Sequence, residues 1–334
     1  MSLTAADIEN AAARLHGHSV RTPLLRHPDL DARCDARIWL KPECLQRSGS
    51  FKFRGAFNAL SRLSPTQQQR GVLAWSSGNH AQGIAAAAAL LGIKATIVMP
   101  ADAPQIKLMN TRALGAEVVC YDRYRESREA IGTNLAEQSG ATIIAPYDNY
   151  DVMAGQGTCG LEIVQQLQSP PELAGQSAAD ATLDSLLICC GGGGLSAGIT
   201  TAFAHYSPDT QLYAVEPEHY NDHARSLRSG RRESNPTELP PSICDALLAP
   251  APGRLTFPIN QTHLAGVLTV SDDMVKEAMR YAFRVLKLVV EPGGAVALAA
   301  LLSQQVDVRD QRVGVIISGG NVDPELFANI ISKY

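Results

Sequence analysis

Leu186-Leu187-Ile188-Cys189-Cys190-Gly191-Gly192-Gly193-Gly194-Leu195-Ser196-Ala197 decides the fold. The short apolar run reads as a strand buried on both faces, the kind found in parallel sheets. Four glycines end it, and helical spacing then runs to His205. A plain turn needs one or two glycines. Four let backbone N–H groups converge on an anion at the positive end of the next helix, so this is a candidate phosphate site. Gly192-x-Gly194-x-x-Ala197 also fits the dinucleotide fingerprint, and Glu216, at the end of the next strand, stands where a ribose-binding acid belongs. A nicotinamide-dependent oxidoreductase on a Rossmann fold is therefore one reading.

The same rhythm of strand and helix spreads outward. Upstream, strands are expected at 72–75, 95–99, 117–121 and 142–145. Helices are expected at 81–91, 104–114 and 125–138, each followed by a glycine, Gly92, Gly115 or Gly140. Downstream, 212–215, 267–270 and 313–317 read as strands; 158–167, 271–288 and 294–303 read as helices. Residues 169–180 read as a polar, proline-bearing linker and 228–262 as a long surface excursion. At the N-terminal side, Thr4 and Asp7 suggest a capping box for a helix to Leu15, and 38–42 reads as a strand. A helix over 51–63 puts Lys52 near its positive end. The class is α/β: two open, mostly parallel, twisted sheets with helices on both faces. Residues 71–147 read as a small domain, and 1–70 with 148–334 as a larger one.

The bulk numbers fit a soluble globular chain. Of 334 residues, 45% are hydrophobic and 19% charged, and the net charge is −4. That balance gives no electrostatic case for nucleic acid or an anionic membrane. The seven cysteines form no Cys-x-x-Cys pair, which argues for reduced thiols and a cytoplasmic location. The first residues lack the basic and apolar regions of a signal peptide, and the apolar run 295–302 is too short to span a bilayer.

Ligands bind open parallel sheets beyond the carboxyl ends of the strands. Two further loops stand there: Ser76-Ser77-Gly78-Asn79-His80 and Ser318-Gly319-Gly320-Asn321. Capping alone would explain the first. A third stretch, Ser48-Gly49-Ser50-Phe51-Lys52-Phe53-Arg54-Gly55-Ala56, sets one lysine among small and aromatic residues. Apolar neighbours and a nearby cation lower a lysine's pKa and make it a nucleophile, with Phe51, Phe53 and Arg54 the neighbours expected to do so. Taken alone, that lysine reads as readily as a solvated surface residue.

Together these stretches resemble the fold-type II pyridoxal-phosphate enzymes, specifically the serine/threonine dehydratase and serine racemase family. The resemblance covers nearly the whole chain, and all four motifs stand in the expected order. It implies a tryptophan-synthase-β-like fold with pyridoxal 5'-phosphate in the cleft between two domains. By the same resemblance Lys52 holds the cofactor as an imine and moves the Cα proton, and Phe51 lies beside the ring. Asn79 bonds the phenolic oxygen, Gly191, Gly192, Gly193, Gly194 and Leu195 form the phosphate loop, and Glu291 lies near the cofactor. Ser318 faces the pyridine nitrogen, where a neutral hydroxyl leaves a weaker electron sink and favours β-elimination. Ser76, Ser77, Gly78, Asn79 and His80 receive the substrate.

The resemblance further implies β-elimination from a 3-hydroxy amino acid to a 2-keto acid and ammonia. L-Threonine, L-serine and 3-hydroxyaspartate all fit. Ser77 matches a second proton carrier on the opposite face, which leaves serine racemisation as an alternative. Trp75 departs from the racemase pattern, as does the segment 242–248. Arg128 matches an arginine that reaches the substrate in racemases; a surface arginine is the alternative. Glu216, Tyr220 and Asp222 resemble a Mg²⁺ or Ca²⁺ site built of two carboxylates and a backbone carbonyl. The expected assembly is a homodimer or homotetramer. The end of the chain soon after Asn321 suggests a form without a regulatory domain.

Overall fold

The computed structural model describes residues 2–76, 78–103, 105–122, 125–168 and 181–333. Helix α1 (Ala5–Leu15) opens on the Thr4–Asp7 capping box and buries Ile8, Ala11 and Leu15, a spacing of three and four. Helix α2 (Pro28–Cys34) and strand β1 (Arg37–Pro42) follow, then α3 (Lys52–Ser61) and α4 (Pro65–Arg70). The next stretch alternates: β2 (Val72–Trp75), α5 (Asn79–Leu91), β3 (Ala95–Pro100), α6 (Gln105–Ala113), β4 (Glu117–Tyr121), α7 (Arg128–Ser139) and β5 (Thr142–Ile143). Helix α8 (Tyr150–Gln168) leads into β6 (Ser185–Cys189), α9 (Gly194–Tyr206), β7 (Gln211–Pro217) and α10 (Asp222–Ser229). The chain closes with α11 (Thr256–His263), β8 (Gly266–Val270), α12 (Asp272–Tyr281), α13 (Pro292–Leu302), β9 (Arg312–Ile317) and α14 (Pro324–Ile331).

The strands form two all-parallel sheets, ordered β1-β9-β6-β7-β8 and β4-β3-β2-β5. Strands β6 and β9 are buried almost throughout, as a sheet covered on both faces requires. In the first sheet the chain steps from β6 outward to β7 and β8 on one side, while β9 lies on the other. In the second, β3 and β5 flank β2 on opposite sides. The loops at these two switch points are those after β6, β9, β2 and β5. Crevices at the carboxyl ends of such strands are where ligands bind. The core beside the four-stranded sheet also draws in Phe53, Phe57 and Leu60 of α3, so the lysine helix packs on both halves of the molecule.

Several expectations are corrected. Residues 228–262 are a surface excursion only in their first part: 229–241 are largely exposed, but Cys244, Phe257 and Asn260 are buried, and 245–254 lines the cleft at the strand ends. Polar and proline-rich composition concealed a segment held by tertiary contacts, not by its own periodicity. Helix α8 begins at Tyr150, eight residues before the expected start, because glycines at 155, 157 and 160 hid a helix that packs closely. In that helix, a Cβ at Gly155 or Gly157 would strike the backbone of α3 or α9. Helix α7 starts at Arg128, with Ser127 as its cap. Helices α2, α4, α10, α11 and α14 were not expected. The 169–180 linker lies outside the described residues, as does Ser77. Among the described residues no helix is long and apolar enough to cross a membrane.

Candidate active site

Lys52 is the first residue of α3. Its Nζ donates to the Pro146 carbonyl at 2.7 Å, in the loop after β5, and lies 5.2 Å from the Phe51 ring. Desolvation lowers its pKa from 10.5 to about 8. No neighbouring cation is responsible. Arg54, expected to act on it, points away into the body of the protein. There it bonds Glu43 at 2.7 and 2.8 Å and Glu162 at 2.6 and 2.9 Å. Lys41 joins the same buried group, 2.7 Å from Glu162. Phe53 likewise faces the core, against Phe57. Of the three expected neighbours only Phe51 stands beside the amine.

The four glycines form the turn between β6 and α9. Gly193 has φ +89°, a conformation that suits glycine, and its carbonyl accepts from Ser196 Oγ at 3.0 Å. A Cβ on Gly192 would overlap the Tyr147 ring, and one on Gly193 would come within 2.6 Å of His223 Nε2. The Gly192 carbonyl is held by Thr256 Oγ1 at 2.7 Å and the Gly253 amide at 3.1 Å. The carbonyls are thus occupied on the outer side, and α9 contributes the free amides of its first turn.

Across the cleft, Asn79 starts α5 and is buried. Its Nδ2 donates to Glu291 Oε1 at 2.5 Å, and its Oδ1 accepts from Asn321 Nδ2 at 2.7 Å. Burial first, and Asp245 next, raise the Glu291 pKa from 4.5 to about 8, so this carboxyl is protonated at neutral pH. Ser318 is 4% exposed and its carbonyl accepts the Phe51 amide at 3.1 Å, which ties the C-terminal serine loop to the lysine turn. His80 Nε2 lies 2.9 Å from the Ile144 carbonyl and must carry its hydrogen there. Burial, with Lys52 nearby, lowers the His80 pKa to about 3, so the ring is neutral.

One cleft of about 440 Å³ gathers nearly all of this. Its lining includes Phe51, Lys52, Ser76, Gly78, Asn79 and His80, the loop from Gly191 to Leu195, and Arg128, Glu291 and Ser318. Arg128 lines the cleft, is half-exposed and bonds Glu129 at 2.8 Å. Trp75 lines the cleft while its ring packs where a Cβ on Gly132 of α7 would sit. Sequence reasoning missed Tyr147, which covers the glycines, and Lys107, which reaches Asp245 at 2.5 Å across the cleft. Neither carries a local signal; both are placed by the meeting of the two sheets.

Glu216, Tyr220 and Asp222 lie elsewhere, behind the glycine loop. Both Glu216 oxygens accept amides of α10, those of His223 and Ala224, at 3.0 Å each. A wholly buried carboxylate engaged as a helix cap cannot reach a ribose, which removes the dinucleotide role given to it. Asp222 Oδ1 accepts from Asn235, while Oδ2 is buried without a hydrogen-bond partner. The Tyr220 amide bonds the Pro217 carbonyl at 3.0 Å. Cys190 carries no sequence signal for this place; His223 is near these acids in the sequence, although the expected cation site does not require it. With Glu216 these two residues place three ligand atoms within 4.8 Å of one another.

Comparison with known proteins agrees with this geometry. Residues 15–319 match the family model described as pyridoxal-phosphate dependent enzyme. An L-threo-3-hydroxyaspartate ammonia-lyase of a Pseudomonas species is 48% identical over 97% of both chains. A serine racemase of Schizosaccharomyces pombe is 39% identical, over 98% of this chain and 97% of its own. The structure of maize serine racemase superposes with a TM-score of 0.90 at 33% identity, covering 99% of this chain and 98% of that one.

Proposed function

Because the chain belongs to the pyridoxal-phosphate dependent enzyme family, we propose that it is an ammonia-lyase for 3-hydroxyaspartate, yielding a 2-keto acid and ammonia. Among the 3-hydroxy amino acids that fit the sequence motifs, the one with a second carboxylate suits this cleft best. The observation that carries the choice is Arg232 at its rim. Lys107, Arg128, Arg232 and Arg254 line the cleft together with Glu129, Asp148 and Asp245; Asp245 holds Lys107 and Glu129 holds Arg128, whereas Arg232 meets no carboxylate within ion-pair distance among the described residues. A diacid uses such a rim; serine and threonine do not.

The residues present fit the cofactor. The glycine turn has room only for backbone and opens on a helix N-terminus, and a lysine of lowered pKa stands opposite. Gly191, Gly192, Gly193, Gly194 and Leu195 would hold the phosphate, Asn79 and Ser318 the ring, and Lys52 the aldehyde carbon. When bound, pyridoxal phosphate supplies the electron sink that lets a Cα–H bond ionise. The protein's own work is positional and acid–base. The start of α5, with Ser76, Gly78, Asn79 and His80, orients the α-carboxylate by its dipole and amides. Arg128 takes the second carboxylate. Lys52, near pKa 8, has a neutral fraction at physiological pH and accepts the Cα proton. Residues 71–147 form the closing half, a division supported by the Lys107–Asp245 pair spanning the cleft.

The second reading, a serine racemase, rests on Ser77 in the sequence and on the yeast relative. One experiment separates the two: keto-acid release from L-threo-3-hydroxyaspartate, L-serine and L-threonine, run beside a chiral assay for D-serine. The highest kcat/KM on the diacid is expected. Predominant D-serine, or threonine as the better substrate, overturns the assignment.

Glu216 and Asp222, with the Tyr220 carbonyl, form part of the proposal as a Mg²⁺ or Ca²⁺ site, Glu216 through the lone pairs that its two α10 amides leave. The buried Asp222 oxygen without a hydrogen-bond partner supports it, because hard cations take oxygen ligands. Added Mg²⁺ or Ca²⁺ should raise the melting temperature, and Asp222→Asn should remove that response.

A further inference from the structure

Asn321 closes the serine loop and stands behind the residues that line the cleft. Its Nδ2 donates to two oxygens, the Ser48 carbonyl at 2.8 Å and Asn79 Oδ1 at 2.7 Å. The first bond fixes the sense of the second. A carbonyl can only accept, so the nitrogen of the Asn321 amide must lie on that side. Asn79 is then obliged to turn its oxygen toward Asn321 and its nitrogen away. That nitrogen donates one hydrogen to Glu291 and keeps the other for the cleft it lines. A single backbone carbonyl therefore dictates the direction of two side-chain amides in series.

The turn that aims this carbonyl is itself unusual. Ser48 has φ 61° and ψ 15°, and Gly49 follows with φ +74°, so two successive residues are left-handed. A Cβ on Gly49 would overlap the Asn321 side chain. The Gly49 carbonyl also accepts the Gly320 amide at 2.9 Å. Strain, a glycine and a cross-loop bond are spent on holding one carbonyl against one asparagine.

We propose that Asn321 is a positioning residue, which transmits the polarity of the Ser48 carbonyl to Asn79 and so fixes the side on which Asn79 offers its N–H to the cofactor. The inference rests on membership of the cofactor family and is independent of the substrate.

The test uses pyridoxal phosphate itself as the probe. Asn79→Ala, Asn321→Ala, Asn321→Asp and the Asn79→Ala/Asn321→Ala double variant are compared with the parent. The readouts are the dissociation constant of pyridoxal phosphate and the circular dichroism of its visible band. Each Asn321 variant is expected to weaken binding about tenfold, one charge-free hydrogen bond's worth, and to change the visible dichroism. Asn321→Asp cannot donate, and should turn the Asn79 amide end over end. In the Asn79→Ala background the Asn321 substitution should add nothing, because it acts only through Asn79. Additive losses in the double variant overturn the proposal, as does an Asn321→Asp protein with unchanged dichroism and a dissociation constant within about twofold. Should Asn321→Asp fail to fold by far-ultraviolet dichroism, Asn321→Ala and the double variant decide by the same two readouts.

Discussion

Replacing Glu291 by glutamine should remove a pH dependence that belongs to this one side chain. Burial and Asp245 raise its pKa from 4.5 to about 8. Between those values the folded protein keeps a proton that the unfolded chain has lost. Stability therefore falls as pH rises through the window, by roughly 1.4 kcal/mol per pH unit, and is level above it. His80 opposes this at low pH. Its pKa is lowered from 6.5 to about 3, so its contribution rises with pH and is complete by 6.5. Lys52, lowered from 10.5 to about 8, is protonated in both states below 8 and adds no slope there. The interval from pH 6.5 to 8 is thus where Glu291 stands clear of both, and it is worth about 2 kcal/mol. Asp222, raised to about 7, titrates in the lower part of the same interval, but equally in both proteins, so it cancels in their difference. The amide of Glu291→Gln keeps a carbonyl to accept the Asn79 hydrogen and cannot ionise. Urea unfolding of the two apoproteins at pH 6.5 and 8 measures the effect. The parent should lose about 2 kcal/mol more than the variant across that interval. Equal losses would show that the carboxyl is ionised within the fold, and the reasoning would fail.

Three other perturbations follow from the same geometry. Lys52→Ala should abolish turnover and change the visible absorption of the bound cofactor, while leaving the far-ultraviolet dichroism intact. Gly192→Ala should drive a methyl into the Tyr147 ring, lowering stability by about 1–3 kcal/mol as overpacking does and weakening pyridoxal phosphate binding, both measurable by titration and thermal melts. Arg128→Ala should raise KM for 3-hydroxyaspartate about tenfold, the value of one charge-assisted bond at a half-exposed site, and leave KM for L-serine nearly unchanged; an equal rise for both substrates would place the arginine outside the second-carboxylate site.

Much of this site was legible because its parts obey local rules. Four glycines between a strand and a helix, and small polar loops after strands, announce themselves in any sequence of this class, and the parallel sheets follow from the alternation. Lys52 was legible as a position but not by its cause. Arg54 looked like the cation that would depress its pKa, and only the fold shows that guanidinium turned inward to Glu43 and Glu162 while desolvation acts alone. The lining contributed by residues 245–254 was unreadable for a different reason. Those residues have no periodicity and are held by partners far away in sequence, as Lys107 and Asp245 are. Glu216 shows the converse failure: an acid at the right place after a strand matched a motif, although its two oxygens were already committed to α10.

The inward-facing charges behind the lysine helix restrict how this chain can change. Arg54, Lys41, Glu43 and Glu162 neutralise one another two residues from Lys52, and the first three side chains have no exposed surface. Losing any one of them strands its partners, a change that costs about 3–5 kcal/mol in buried pairs, whereas replacing the whole set with apolar residues need cost little. Single steps away from the present arrangement therefore pass through a deep valley, and only concerted ones avoid it. A lineage carrying this quartet is free to alter the rim of the cleft, and with it the substrate, residue by residue. The seat of the reactive amine is inherited as a block.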